Sequence, residues 1–426
     1  MKERRVVITG LGVVAPNGVG LSSFLDSLRQ GRSGIRFFPN LREMGFSCCI
    51  AGQPEVDEEM KLQYLTPLQL RNFNSSGILY GCMAGMDAWR DAGLEIDSEG
   101  PADFDSGLVF GAGTSGVDKF RDGIYLLDQG KIRRLGSTTV VQTMASGVSA
   151  YLSGILGLGN QVTTNSSACA TGTEAVLIGY ERILRGQANR MLVGSCSDHG
   201  PYLWSGFDAL RVLTYKHNDR PEQGSRPMSA TASGFVPGSG AGALLLEDLD
   251  SAQGRGARIY AEVLGGQVNS GGQRSGGTMT APNPIAVQRC IKEAVRNAGV
   301  RAEEIDLING HLTATLKDPE EIVNWKEALG LPPGRFPLIN SLKSMTGHGL
   351  AAAGSMECVS AVLQVHHDFA FPSINCEDLH PEIESLIGRS KVPQQMTELE
   401  VNTVAKASFG FGDVNACVLF RKFRSK

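Results

Sequence analysis

Apolar positions recur along this chain with two different periods. Runs rich in β-branched and small apolar residues, Arg5–Val14, Ser106–Ala112, Arg190–Gly194, Ala241–Glu247, Ile259–Gly265, Ile305–Ile308 and Val414–Phe420, predict short strands. Between them, Asn74–Ala92, Gly172–Arg185, Ile285–Asn297 and Gly349–Val365 predict helices. Strands alternating with helices imply layered α/β packing. The runs after Gly172 and Gly347 are rich in Ala and Gly and poor in charge, so these two helices are expected to be buried on all sides, between two sheets.

The pattern also repeats. Asn-Ser-Ser-Ala-Cys-Ala-Thr-Gly at Asn165–Gly172 returns as Asn-Ser-Leu-Lys-Ser-Met-Thr-Gly at Asn340–Gly347, and each copy leads into an apolar helix. Upstream, the helix end Ala88–Leu94 is echoed by Ala294–Val300, each closed by a glycine. Two echoes in one order predict a duplicated fold whose halves pack about a pseudo-two-fold axis, bringing the starts of the two Thr-Gly helices into one central site. The first half holds 31 more residues between its echoes than the second, which places extra structure near residues 114–150. The seam between halves falls at Asp248–Arg258, dividing the chain into 1–252 and 253–426.

Composition narrows the class. A chain of 426 residues, 42% hydrophobic and 20% charged, is long enough for two core-bearing halves and far from a disordered or fibrous composition. The 53 glycines follow no fixed period and fall between predicted elements, as α/β turns require. A net charge of −4 supplies no general field for nucleic acid. Nine cysteines without CxxC spacing point away from zinc ribbons and disulfide scaffolds, and toward a reducing, cytoplasmic setting. The basic start and apolar run from Val6 to Ala15 superficially resemble a signal peptide, but Thr9, Gly10 and Gly12 interrupt the run and Pro16-Asn17-Gly18 ends it as a strand meets a turn. No apolar run reaches the roughly 18 residues of a membrane helix.

A few residues stand where chemistry is done. Cys169 lies just before a predicted helix, where free N–H groups and the positive end of the dipole favour a thiolate. His311 follows the strand Ile305–Ile308, and His348 follows Thr346-Gly347, so both occupy element ends rather than apolar faces. The remaining histidines, 199, 217, 366, 367 and 380, lack such a setting and are expected to be solvated or capping. Lys343 precedes His348 by five residues; taken alone it reads as a surface lysine. The segment Ser408–Asp413 could place backbone N–H groups beside a reactive carbonyl. Gly111–Gly116 has glycines spaced as in a dinucleotide loop, but it lies deep in the first half without the βαβ start that such a loop needs, so NAD is not expected.

In combination, Arg5–Val14, Ser167–Gly172, Ser225-Arg226-Pro227, Asn340–His348 and Ser408–Gly412 resemble the elongating β-ketoacyl-[acyl carrier protein] synthases, condensing enzymes of the thiolase-like superfamily. The similarity covers nearly the whole chain. It implies a duplicated five-layer αβαβα fold and a homodimer, with the extra segment of the first half forming part of the dimer contact and acyl tunnel. It further implies that Cys169 carries the acyl chain as a thioester, with the N–H groups of Cys169 and Phe411 as its oxyanion hole. His311 and His348 would hydrogen-bond the malonyl thioester carbonyl as carbon dioxide leaves. Lys343, with Glu357 behind it, would support the histidines. Thr313 and Thr315 would contact the phosphopantetheine arm, Phe409 and Phe411 would border the substrate with Phe411 as gate, and Thr114 would line the acyl-pocket floor. The partner implied is acyl carrier protein, whose phosphopantetheine arrives with the substrate; no bound cofactor, metal, nucleic acid or membrane is expected.

The chain also departs from the family pattern. Where Glu-Ala-His-Gly-Thr-x-Thr is usual, it has Asn309-Gly310-His311-Leu312-Thr313-Ala314-Thr315; Ser239 replaces a glutamate, and Asp413 replaces a final glycine. Leu312 is expected to crowd the backbone beside a catalytic histidine, and Asp413 to stiffen the gating loop. These changes motivate a second reading, a catalytically weak partner subunit of a heterodimer resembling a chain-length factor. Against it, such partners typically lack the nucleophile, and this chain keeps Cys169.

Overall fold

The computed structural model describes residues 4–97 and 99–424. Ten strands form one continuous path: β1 (Val6–Ala15), β2 (Ser106–Ala112), β3 (Val162–Thr163), β4 (Arg190–Ser197), β5 (Gly240–Asp248), β6 (Ala261–Ser270), β7 (Leu307–Asn309), β8 (Leu338–Asn340), β9 (Thr403–Gly410) and β10 (Val414–Lys422). Their spatial order is β8-β7-β9-β10-β6-β1-β5-β4-β2-β3. Read outward from the β1–β6 seam, each half runs first, fifth, fourth, second, third strand. In both halves the first three strands of that order pair antiparallel, and the fourth, second and third pair parallel. The halves join where β1 and β6 pair antiparallel, Val6 opposite Val263 and Ile8 opposite Ala261. The predicted duplication is thus a duplication of topology.

Helices complete the layers. Among the longest are α1 (Ser76–Asp91), α5 (Thr171–Leu184), α6 (Pro284–Asn297), α7 (Asp318–Leu329) and α9 (Ala353–His367). α5 and α9 pack on each other and touch strands of both half-sheets, α1 covers the first half-sheet and α6 the second, which gives αβαβα. Every residue of α9 from Ala353 to Val365 is buried, which is why this run carries so little charge. Contact between α5 and α9 is close enough to require glycine: a Cβ on Gly172 would lie 2.2 Å from the backbone nitrogen of Ser355. Gly354 meets Thr173 and Gly172 in the same manner.

That contact corrects the register of the repeat. Gly172 is matched in space by Gly354, not Gly347, and Cys169 by Ala351; each lies in a single 3-10 turn preceding its helix. The copies do begin alike, since Ala112 N–H donates to Asn165 O at the end of one third strand and Gly310 N–H to Asn340 O at the end of the other. Between Asn340 and its helix the second half carries seven more residues than the first, including the short α8 (Lys343–Thr346) and His348. Lys343 and His348 therefore belong to an insertion with no counterpart beside Cys169.

The longer insertion of the first half holds α2 (Val117–Asp128), α3 (Thr139–Thr143) and α4 (Gly147–Leu156). Phe120, Ile124, Tyr125, Leu127, Ile132 and Val140 are exposed there. No helix among the described residues is long and apolar enough to cross a membrane.

Candidate active site

Cys169 sits two residues before α5, in the turn Ala168–Ala170, where Ala168 adopts a φ of 49°. The turn is tied down by its own polar groups: Thr171 Oγ1 donates to Ala168 O at 2.6 Å, and Ser167 N–H donates to Thr171 Oγ1 at 2.9 Å. His348 Nε2 lies 3.1 Å from Cys169 Sγ. The N–H of Leu350 donates to His348 Nδ1 at 3.1 Å, so the neutral ring carries its proton on Nε2, facing the sulfur. Phe411 lines the same cavity wall as the sulfur.

His311 stands at the end of β7, its ring 5.5 Å from that of His348 and nearly perpendicular to it. Two buried carboxylates of α7 shape its loop. Glu321 accepts the N–H groups of His311 and Leu312, each at 2.7 Å, while Asp318 accepts those of Thr313 and Ala314 and that of Met228. The Lys343 ammonium donates to His311 O at 2.6 Å, lies 3.4 Å from His311 Nδ1 and pairs with Glu357 on α9. With that cation beside Nδ1, the His311 proton also resides on Nε2.

Burial first, and then the positive charges of Lys343 and Lys406, hold both imidazoles well below the usual histidine range. They are neutral donors at physiological pH. Burial pushes the Cys169 thiol up to about 11, partly opposed by Lys343 and the Phe411 N–H. That direction is opposite to the one expected from the helix start: α5 begins only at Thr171, and Cys169 stands in the turn before it, half-buried. One donor atom each from Cys169, His311 and His348 lies within 4.8 Å of the others, a spacing that could hold a soft metal ion. Lys343 against His311 disfavours added positive charge there, so the site suits a developing anion better.

A cavity of about 690 Å³ opens onto these groups. Thr114, Thr313, Thr315, Phe409 and Phe411 all line it, together with Cys169, His311 and His348. Lys343 and Glu357 lie behind the wall, each about 1% exposed, so Lys343 is not the surface lysine its position alone suggested. Gly111 in the glycine cluster packs a strand on a helix, because a Cβ there would come 2.1 Å from Thr171 Cγ2. Of the other histidines, His380 caps a helix through Glu382 N–H, whereas His199 is neither capping nor solvated: it is largely buried, with Nδ1 2.9 Å from the Tyr80 hydroxyl.

The sequence profiles of the β-ketoacyl synthase N-terminal and C-terminal domains match residues 3–252 and 260–377. The chain belongs to the β-ketoacyl synthase family. It is 33% identical to 3-oxoacyl-[acyl-carrier-protein] synthase 1 of Escherichia coli K12, over 99% of this chain and all of that one. Among solved structures, a β-ketoacyl synthase from Burkholderia phymatum STM815 superposes with a TM-score of 0.89 at 27% identity, and the ishigamide ketosynthase/chain length factor with 0.87 at 29%. Each alignment covers 99% of this chain and all of the other. The thiolase-like fold expected from the motifs is the fold of these synthases.

Leu312 and Gly310 account for each other. Leu312 is completely buried, with a φ of 23°, and its side chain fills the space that a Cβ at position 310 would take, 2.8 Å from Leu312 Cδ1. Asp413, also at positive φ and buried, accepts the N–H groups of Gln273 and Asn283, so it ties the turn after β9 to the 271–283 loop. Lys406 went unnoticed in the sequence because its strand, β9, was hidden by the Gly-Phe-Gly that ends it. A lysine between Ala405 and Ala407 in an apolar run was the available signal.

Proposed function

We propose that the protein is a 3-oxoacyl-[acyl carrier protein] synthase that condenses an acyl group held on Cys169 with malonyl carrier protein. The observation carrying this reading is the convergence of one thiol and two neutral imidazoles, with Cys169 Sγ 3.1 Å from His348 Nε2, at the wall of one cavity. In the first half-reaction the sulfur of Cys169 attacks the acyl thioester carbonyl, the N–H groups of Cys169 and Phe411 hold the oxyanion, and the departing phosphopantetheine thiolate takes the proton the cysteine gives up. A thiol in the resting state suffices, because nucleophile and leaving group exchange one proton.

In the second half-reaction malonyl thioester loses carbon dioxide, and its carbonyl oxygen becomes an enolate between the Nε2–H donors of His311 and His348. The enolate carbon attacks the acyl-Cys169 carbonyl, the tetrahedral intermediate expels the cysteine thiolate, which takes a proton from water to restore the thiol, and 3-oxoacyl carrier protein leaves. Thr313 and Thr315 on the cavity wall suit the phosphopantetheine arm, and Thr114 with Phe409 suits the acyl chain. Acyl carrier protein is the partner. The exposed apolar residues of α2, α3 and the turn between them support a dimer through the 114–150 insertion, with halves 1–252 and 253–426 as the repeating units of each subunit. Unpaired cysteines throughout the described chain suit the cytoplasm.

Radiolabelled malonyl carrier protein with an acyl carrier protein should yield an extended chain, and Cys169→Ala should abolish it. Cys169→Gln should leave decarboxylation of malonyl thioester without condensation. Absence of extension with every acyl primer, with the protein folded, would overturn the assignment and favour the weak partner subunit instead.

A further inference from the structure

Two lysines, not one, are buried behind the histidines. Lys406 is wholly inaccessible and points from β9 toward α9, where its Nζ lies 2.9 Å from Glu357 Oε2, as a charge contact rather than an aligned hydrogen bond. Lys343 holds Oε1 of the same carboxylate. The two oxygens of Glu357 are thus divided between two ammonium groups, and the trio carries one positive charge in excess. A buried unbalanced charge is costly unless something uses it. Lys406 also donates to Ser408 Oγ at 2.9 Å, and that hydroxyl meets Thr173 Oγ1 on α5 at 2.9 Å. In the parallel pairing of β7 and β9, Lys406 lies opposite Asn309, two residues before His311.

We infer that Lys406 is a positioning residue for the imidazole pair: a cation tethered to β9 that fixes Glu357 between two lysines and so holds Lys343 against His311 while an enolate forms. The inference rests on the proposed condensing reaction but names a residue that reaction does not require. The charged and titratable groups around the pair are Lys343 on α8, Lys406 on β9, Glu357 on α9, Glu321 and Asp318 on α7, and Cys169 before α5. Two of these are cations: Lys343 lies 3.4 Å from His311 Nδ1, and Lys406 joins it through Glu357, which both of them hold. An excess positive charge disfavours imidazolium and favours enolate, so one residue serves both requirements.

The sign is definite. Removing Lys406 lets both rings bind protons more readily, so the acid limb of malonyl-thioester decarboxylation moves to higher pH. With Lys406→Met in the full-length protein the limb should shift upward by about one pH unit, as should the titration of the His311 and His348 ring protons followed by NMR on histidine-labelled protein. A packing role would lower the melting temperature or kcat equally at all pH values and leave both titrations in place; that result overturns the inference. Lys406→Gln, which keeps a donor for Ser408, provides the same comparison if the methionine variant does not fold. The NMR titration needs no turnover, so it still tests Lys406 if the wild-type protein fails to decarboxylate malonyl thioester.

Discussion

The reciprocity of Gly310 and Leu312 can be tested as a double-mutant cycle flanking His311. A Cβ on residue 310 would stand 2.8 Å from Leu312 Cδ1, 3.0 Å from Leu312 Cγ and 3.1 Å from Glu321 Oε1. Gly310→Ala therefore overfills a closed site and should cost about 1–3 kcal/mol. Leu312→Ala empties a completely buried position and should cost about 2–5 kcal/mol. In the double variant the new methyl group occupies part of the space vacated by the leucine, so its cost should fall short of the sum by about 1–2 kcal/mol, within the range seen for residues in contact. Urea denaturation at one fixed protein concentration, with slopes compared across all four proteins, measures this. Gly310→Ala also presses on the oxygen that accepts the His311 N–H, so its decarboxylation rate should drop, in the double variant as in the single one. Strict additivity, within about 0.5 kcal/mol, would refute the idea that leucine at 312 is accommodated by the absence of a side chain at 310.

Three other outcomes follow from the site. Iodoacetamide should modify Cys169 slowly at pH 7 and faster by about tenfold per pH unit up to pH ~10, as the thiolate fraction grows for a thiol pushed up to about 11; a rate already at its plateau at pH 7 would contradict the raised thiol. Burial pushes Glu321 up to about 7, so between its ordinary value and pH 7 the folded protein keeps a proton that the unfolded chain has released, and stability falls as pH rises through that window. Glu321→Gln should flatten that slope and cost about 1–3 kcal/mol, since an amide NH2 then faces a backbone N–H; chemical denaturation at pH 5 and pH 8 checks both. Asp413→Ala should strand the N–H groups of Gln273 and Asn283 and speed hydrogen exchange across the 271–283 loop, while unchanged exchange would remove Asp413 from the role of clamp.

Much of the fold and site was legible in the chain because both rest on local patterns. Apolar periodicity placed most of the long strands and all four predicted helices, and the Ala88–Leu94 and Ala294–Val300 echoes fall on the ends of the equivalent helices α1 and α6. Cys169, His311 and His348 stood out because thiol and imidazole side chains at element ends contrast with the apolar runs around them. β3 and β8 escaped notice, being only two and three residues long and set by pairing with a neighbour rather than by any pattern of their own.

The sequence by itself determined the layers, the duplication and the candidates for the site, all of which follow from periodicity and residue chemistry within short windows. Only the tertiary structure decided the register of the repeat, the surroundings of the thiol and the charge behind the histidines. Gly172 meets Gly354 because two helices must approach closely, and no seven-residue slip is visible until they do. The Cys169 thiol is pushed up because distant parts of the chain take it partly out of water. Lys406 acquires its meaning from Glu357, forty-nine residues away in the chain and 2.9 Å away in space, because an ion pair depends on distance through the fold.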